Sequence, residues 1–472
     1  MNGSEENTDY DLLVVGGGSA GSACAAEAVK QGHARVGLIN DGELGGLCIL
    51  RGCMPTKSLL QSVELLIEAR HADRFGLTVE PPTYDFATIM ARRAEHVARF
   101  QRAKVAGMQS GGYEIIDGRA AFVGKDAVEV DGRRLTAKAF MLSTGSRQNV
   151  PPVAGIESVD YLTSDDLMEL EQVPKSLLVM GAGAIGLEFS TFFAALGVDV
   201  TLVNRSMLIE RGEEPDLSEQ YRRAVERCGV KVELGVHAES IRQLDDGSIE
   251  GCFLDADGNE VRYTAEKLLL ATGRVANLEG LGLEQAGIEL ERANTLKLDD
   301  TLRTTNPRVF AAGDATNRDL ILHTGNAEGR HVARNLKSLF EGSELAGWKE
   351  HIPVRAIFTH PPYATAGLTA REASAAGHTV VTATKNWANQ GRGIVMGVHP
   401  DEGFIRLIGE KGTAKILGVQ ILGPRADDLI HVISTLIHFG GTADDLIELP
   451  WYHPTLSEAF IELGREVAVL AR

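Results

Sequence analysis

Cysteine is scarce in this chain. Five cysteines are spread over 472 residues, too few for a disulfide-built scaffold, and a reducing compartment would keep most of them as thiols. A pair at a special spacing is then more readily catalytic than structural. Long apolar runs are missing as well. No run on the order of 18 apolar residues occurs, so no membrane span is expected. The opening residues MNGSEENTDY lack the basic and apolar regions of a secretory signal, which makes the cytoplasm the expected location. Basic residues are outnumbered, with 47 Lys and Arg against 65 Asp and Glu, for a net charge of −18. Such a surface repels nucleic-acid phosphates and anionic membranes. A small anionic ligand would need a local basic pocket.

Glycine, by contrast, is plentiful at 52 residues, and it is patterned. Residues 10–40 read as an apolar run, then Gly16, Gly18 and Gly21, then a small-residue helix and a second apolar run. Residues 176–205 repeat the design with Gly181, Gly183 and Gly186. Strand, glycine turn, helix and strand form the opening unit of a dinucleotide fold, because a backbone without Cβ lets a pyrophosphate approach the helix N-terminus. Each copy is followed by an apolar strand closing on a Thr-Gly step, Thr144-Gly145 in the first and Thr272-Gly273 in the second. The segment RVFAAGDAT, residues 308–316, adds a strand ending at Gly313-Asp314, with a helix expected from Thr324 to Phe340. Beyond residue 346 short β-type runs give way to helix-type segments, the texture of a separate α+β domain. The expected fold class is therefore α/β: two Rossmann-like dinucleotide-binding domains plus a C-terminal α+β domain. The expected order is 1–150 (first domain), 151–271 (second), 272–345 (first domain resumed) and 346–472 (C-terminal).

The residue that ends the second strand of such a unit normally contacts the adenosine ribose. In the first copy it is Asn40, with Asp41 next, and either can accept from a ribose hydroxyl. In the second copy it is Asn204, followed by Arg205 and, six residues later, Arg211. With no carboxylate at the ribose and two guanidinium groups nearby, the loop suits a 2′-phosphate. This favours NADPH over NADH. Gly186 points the other way, because NADP-type fingerprints often carry Ala there.

Residues 45–58 read GGLCILRGCMPTKS. Cys48 and Cys53 stand five apart, a separation of roughly 8.6 Å in an ideal helix. A disulfide needs Cα atoms about 4.4–6.8 Å apart. A bond here requires a distorted turn, for which Gly52 and Pro55 supply the means. The spacing fits neither a zinc ribbon nor a thioredoxin CxxC, and no metal site is expected.

Together with Gly313-Asp314-Ala315-Thr316 and HPTLSEAF at 453–460, this segment resembles the FAD-dependent pyridine nucleotide–disulfide oxidoreductases. That family includes dihydrolipoamide dehydrogenase, glutathione reductase and mercuric reductase. The resemblance runs from Tyr10 to Arg472. It implies that the first glycine unit, with Gly46 of the cysteine segment, binds FAD and the second binds the pyridine nucleotide. It implies that Cys53 is the thiol beside the flavin and Cys48 the thiol that exchanges with substrate. Lys57 would stand near the flavin with Glu188 as its partner, and Asp314 would bind the ribityl chain. The helix after His323 would aim its positive end at the flavin, with His323 itself close by. His453 and Glu458 would be the acid/base pair, given by one subunit to the other's site. The C-terminal domain would then build an obligate homodimer. Cys24, Cys228 and Cys252 read as structural.

The resemblance leaves the substrate open. Mercuric reductases and large thioredoxin reductases carry extra C-terminal cysteine pairs, whereas no cysteine follows Cys252 here. Ala184 stands where glutathione reductases usually have a Tyr. Trp451 and Tyr452 stand where dihydrolipoamide dehydrogenase often has another His. The first expectation is a small disulfide or dithiol exchanging electrons with NAD(P)H. The alternatives are a diaphorase, transhydrogenase or metal-ion reductase, and a flavin-loaded redox sensor or complex component of low turnover.

Overall fold

The computed structural model describes residues 8–210 and 214–472. The chain forms two compact units.

The first unit comprises Met1–Pro55, Arg92–Asn149 and Arg274–His351. Its centre is a parallel sheet in the order 114–117, 36–40, 10–15, 133–142, 309–311. Leu12, Leu13 and Val14 of the middle strand Tyr10–Val15 are fully covered, as a parallel strand flanked on both faces requires. A hairpin of strands 120–124 and 127–130 extends the first half of strand Arg133–Leu142 in antiparallel fashion. Helix Ser19–Lys30 packs against helix Leu322–Glu341. A glycine on the second is needed for that approach: a Cβ on Gly329 would lie 2.3 Å from the Ala20 carbonyl oxygen of the first. The second helix begins two residues before the expected Thr324, because the extended residue ahead of it is Ile321.

The second unit comprises Thr56–Ala91, Val150–Gly273 and Ile352–Arg472. Its parallel sheet runs 230–234, 199–204, 176–180, 267–270. This is the first unit's strand order repeated, so the internal repeat in sequence is a repeat in structure. An antiparallel meander of strands 237–243, 249–254 and 260–265 accompanies it. The C-terminal part is a five-stranded antiparallel sheet in the order 354–357, 363–367, 416–422, 404–410, 380–386. Ile430 and Ile433 of helix Ala426–His438 and Phe460, Leu463 and Val467 of helix Ala459–Ala471 share one core with Ile405, Leu407, Ile416 and Ile421 of that sheet. Each such side chain, fully buried, contributes about 1.5–3 kcal/mol of transfer free energy. The fold class is thus α/β with two Rossmann-like sheets and a C-terminal α+β part. No helix among the described residues is long and apolar enough to cross a membrane.

Candidate active site

The two glycine turns share one construction. A Cβ on Gly16 would lie 2.2 Å from the Ser143 carbonyl oxygen, and one on Gly21 would lie 1.9 Å from that of Gly16. In the second unit the corresponding collisions are Gly181 with Ala271 at 2.4 Å and Gly186 with Gly181 at 1.9 Å. These four glycines let strand, turn and helix touch. The middle glycines differ: a Cβ on Gly18 or on Gly183 would meet nothing within 4 Å. Each is the residue before a 12-residue helix whose N-terminus has no side-chain cap. Both turns therefore present uncapped N–H groups to open space, the condition under which a pyrophosphate can approach.

The asparagines that end the second strands buckle these turns. Asn40 Oδ1 accepts from Gly17 N at 3.2 Å, and its Nδ2 donates to the Gly42 carbonyl at 2.8 Å. Asn204 Oδ1 accepts from Ala182 N at 3.3 Å, and its Nδ2 donates to Ser206 O and Leu208 O at 3.1 and 3.2 Å. An amide can do both jobs at once and a carboxylate cannot. Asp41 and Arg205 are exposed beside them. Arg211 lies outside the described residues.

The cysteines fall on either side of a helix break. Cys48 belongs to the turn Leu47–Leu50, and helix Cys53–Arg70 starts at Cys53. Between them Arg51 leaves helical geometry, and a Cβ on Gly52 would press to 3.0 Å from the Leu47 carbonyl oxygen. Cys48 is half-buried and Cys53 exposed. Gly46 has φ +77°, and a Cβ there would sit 2.8 Å from Gly18 Cα, so this left-handed backbone needs glycine on both counts. The strand-to-cysteine turn thus lies directly on the N-terminus of the first nucleotide helix. By contrast, Cys24 is buried and its thiol is pushed far up by desolvation. Burial likewise raises Cys228, to about 12, and its Sγ donates to the His360 carbonyl at 2.7 Å. Cys252 is buried.

Sequence reasoning passed over Lys104. Its Nζ donates to Ser22 Oγ at 2.5 Å, while Gln101, one turn earlier, donates to Leu44 O at 3.1 Å. One face of helix Phe86–Gln109 therefore backs the loop that carries Cys48. Burial lowers the Lys104 pKa, and the charge of Cys48 opposes that shift.

In the second unit Lys57 Nζ donates to both carboxylate oxygens of Glu188, at 2.8 and 2.9 Å. Phe358 N donates to the same carboxylate at 3.0 Å, and the Phe358 ring centroid lies 4.7 Å from the ammonium. His453 Nδ1 stands 2.9 Å from Glu458 Oε1. Glu458 is held below the usual carboxylate range, first by the Thr455 N–H at 2.8 Å and then by His453. The imidazole is 80% exposed.

In the first unit Asp314 lies in the turn after strand Val309–Ala311, and Ser146 Oγ donates to its Oδ2 at 2.5 Å. The Thr144-Gly145 step is pinned by Asn277, whose N donates to Gly145 O at 2.9 Å and whose Nδ2 donates to Thr144 O at 3.1 Å. Gly313 N donates to the buried Glu328 at 2.6 Å. His323 is exposed in the first turn of its helix, and Gly273 is exposed with φ +97°.

Residues 10–335 match the family described as pyridine nucleotide-disulphide oxidoreductase, and residues 353–463 match that family's dimerisation domain. The chain belongs to this family. A mercuric reductase from Bacillus cereus is 33% identical over 471 residues, covering 99% of this chain and 72% of the relative. Dihydrolipoyl dehydrogenase 2 from Haloarcula marismortui is 33% identical over 462 residues, covering 96% of both chains. The Cu(II) complex of the HOCl-induced flavoprotein disulfide reductase RclA from Escherichia coli superposes with a TM-score of 0.83 at 25% identity, covering 97% of this chain and 99% of that one. The enzyme is accordingly an FAD-dependent oxidoreductase that uses a pyridine nucleotide and acts on sulfur groups. The open, uncapped glycine turns fit two dinucleotides.

Proposed function

We propose that this flavoenzyme reduces a small disulfide with electrons from NADPH by way of Cys48 and Cys53. One observation carries the reading: the turn bearing Cys48 rests on the open N-terminus of the first nucleotide helix, Gly46 against Gly18. Gly16, Gly18, Gly21, Gly46, Thr144, Gly145 and Asp314 would hold FAD, which would supply two-electron transfer between nicotinamide and the cysteines. Asn40 buckles the turn from inside, which leaves Asp41 as the nearer candidate for the FAD ribose.

The protein's own chemistry is thiol–disulfide exchange. The Cys48 thiolate attacks one sulfur of the substrate, forming a mixed disulfide, and the departing thiolate takes a proton from His453. Cys53 then attacks Cys48, closing the Cys48–Cys53 disulfide and releasing the second thiol. Glu458, already charged, orients the imidazole and stabilises its protonated form. Lys57, fixed by Glu188, would place a positive charge beside the flavin. An imidazole this exposed on its own protomer suits service to a second one. So do Phe439, Tyr452 and Val469, which expose apolar surface in the same C-terminal part. We read the functional form as a homodimer with shared sites.

On the nucleotide side, Gly181, Gly183, Gly186 and Gly273 would face the pyridine nucleotide. Asn204 and Arg205 favour a 2′-phosphate, with no carboxylate at that strand end to repel it.

The test is a panel of lipoamide, glutathione disulfide, other low-mass disulfides, quinones and mercuric ion, each run with NADH and with NADPH. Anaerobic two-electron reduction should give a long-wavelength absorption band from the Cys53 thiolate, lost in Cys53→Ser. Full activity of Cys53→Ser with every disulfide would remove the proposal, and Arg205→Ala should raise KM for NADPH far more than for NADH.

A further inference from the structure

The residues that follow the two Thr-Gly steps of the internal repeat meet within the first unit. Ser146 follows Thr144-Gly145 and Arg274 follows Thr272-Gly273. Strands Ser146–Gln148 and Arg274–Ala276 pair antiparallel, with Arg274 opposite Gln148 and Ala276 opposite Ser146. One edge of the Arg274 guanidinium takes both oxygens of Ser146: Nε donates to Oγ at 2.8 Å and Nη2 donates to the carbonyl at 2.7 Å.

That double contact decides where the serine proton goes. A hydroxyl has one proton to give. With Arg274 donating into Oγ, the proton turns to Asp314 Oδ2, 2.5 Å away. Ser146 is 7% exposed, so water competes little for the hydroxyl. The backbone of the aspartate turn is held separately, by Gly313 N to Glu328 at 2.6 Å and by Asn317 N to Asp314 O at 3.1 Å. One carboxylate oxygen is thus engaged and the peptide around it fixed, which presents the remaining oxygen to a ligand at little ordering cost.

We propose that Arg274, acting through Ser146, positions the Asp314 carboxylate to accept from a ribityl hydroxyl of FAD. This rests on the reading of Asp314 as a flavin contact. Arg274 and Ser146 are positioning residues, and the strand pair 146–148/274–276 belongs to the flavin site. The chain of bonds links a guanidinium to the acceptor through one hydroxyl, and charge-assisted bonds of this kind hold geometry better than neutral ones.

The experiment measures FAD dissociation from the holoenzyme and the flavin midpoint potential in Ser146→Ala, Ser146→Thr, Arg274→Met, Asp314→Asn and their pairs. Ser146→Ala and Arg274→Met should each weaken FAD binding roughly tenfold. Ser146→Thr, which keeps the hydroxyl, should restore it. In the Asp314→Asn background the Ser146 and Arg274 substitutions should have little further effect, because all three act in series. A merely structural role would persist in that background, and full multiplicative effects there would overturn the relay. If Arg274→Met does not fold, the Ser146 pair gives the same comparison. Loss of FAD affinity in Asp314→Asn with none in the Ser146 or Arg274 variants would sink the relay and spare the reading of Asp314. Unchanged affinity in Asp314→Asn would sink both.

Discussion

Lys57 and Glu188, 131 positions apart, are joined by two hydrogen bonds from one ammonium, at 2.8 and 2.9 Å. The pair is unequal in its access to water: the lysine side chain is 30% exposed and the glutamate 5%.

That inequality sets the cost of breaking it. In Lys57→Met the Glu188 carboxylate stays buried with the Phe358 N–H, whereas in Glu188→Gln the lysine can reach solvent. Removing one partner of a buried pair costs about 3–5 kcal/mol, and replacing both costs far less. Because the lysine is partly in water the cost is discounted, and Lys57→Met should destabilise by about 2–3 kcal/mol, more than Glu188→Gln, and the double variant by less than the sum. Urea unfolding of the three variants checks this. Additive losses would show that the two groups are energetically independent.

Glu328 links stability to pH. Its side chain is buried, and desolvation raises its pKa to about 7 despite the Gly313 N–H that favours the charge. The folded state holds this proton more tightly than the unfolded state does. The stabilisation is thus complete below the unfolded value near 4.5 and is lost as pH rises through about 7. Glu328→Gln keeps an acceptor and removes the titration. Measured against this variant, the wild type should lose stability between pH 5 and 8, by at most about 3 kcal/mol. A stability difference that stays flat over that interval would mean the carboxyl is charged throughout.

These two carboxylates mark what could be read from sequence and what could not. The glycine turns were legible because close backbone approach forbids a Cβ whatever else the chain contains, and the spacing of Gly16, Gly18 and Gly21 records that directly. The strand–turn–helix–strand units of the repeat followed from it. The break between Cys48 and Cys53 was legible because five residues of regular helix hold the two Cα atoms too far apart for a disulfide. Glu328, Lys104 and the Ser146–Arg274 contact were not legible. Ser146 lies 168 positions from Asp314 and 128 from Arg274, and no local periodicity encodes such a meeting. Their place at the strand ends marks Asn40 and Asn204 as candidate ribose contacts, but their amides also tie the turn from inside, a use that only the backbone geometry reveals.

The second glycine turn predicts opposite outcomes for two identical substitutions. At Gly183 a methyl group meets open space, and at Gly186 it meets the Gly181 carbonyl oxygen at 1.9 Å. Gly183→Ala should fold with near wild-type stability yet raise KM for the pyridine nucleotide roughly tenfold, by blocking pyrophosphate approach. Gly186→Ala must shift strand or helix and should lower the unfolding midpoint. The same collision explains why glycine stands at 186 in a site we assign to NADPH, where Ala is frequent: here the helix sits too close to the strand. Thermal unfolding and steady-state kinetics of both variants separate the two effects. A stable Gly186→Ala with unchanged kinetics would contradict the packing.

Asn204 offers the sharpest test of nucleotide choice. Its amide accepts from Ala182 N and donates to the carbonyls of Ser206 and Leu208. Asn204→Asp keeps the acceptor but turns a carboxylate toward two carbonyl oxygens, at a cost of about 1–3 kcal/mol for the unmet partners. The loop holding Arg205 then loses its anchor, and a new negative charge stands where the 2′-phosphate would bind. Both changes act against NADPH, and only the first touches NADH. The ratio of kcat/KM for NADPH to that for NADH should fall at least tenfold, alongside a lower unfolding midpoint. If stability falls and the ratio does not move, residue 204 does not face the ribose, and the preference must be sought elsewhere in the loop.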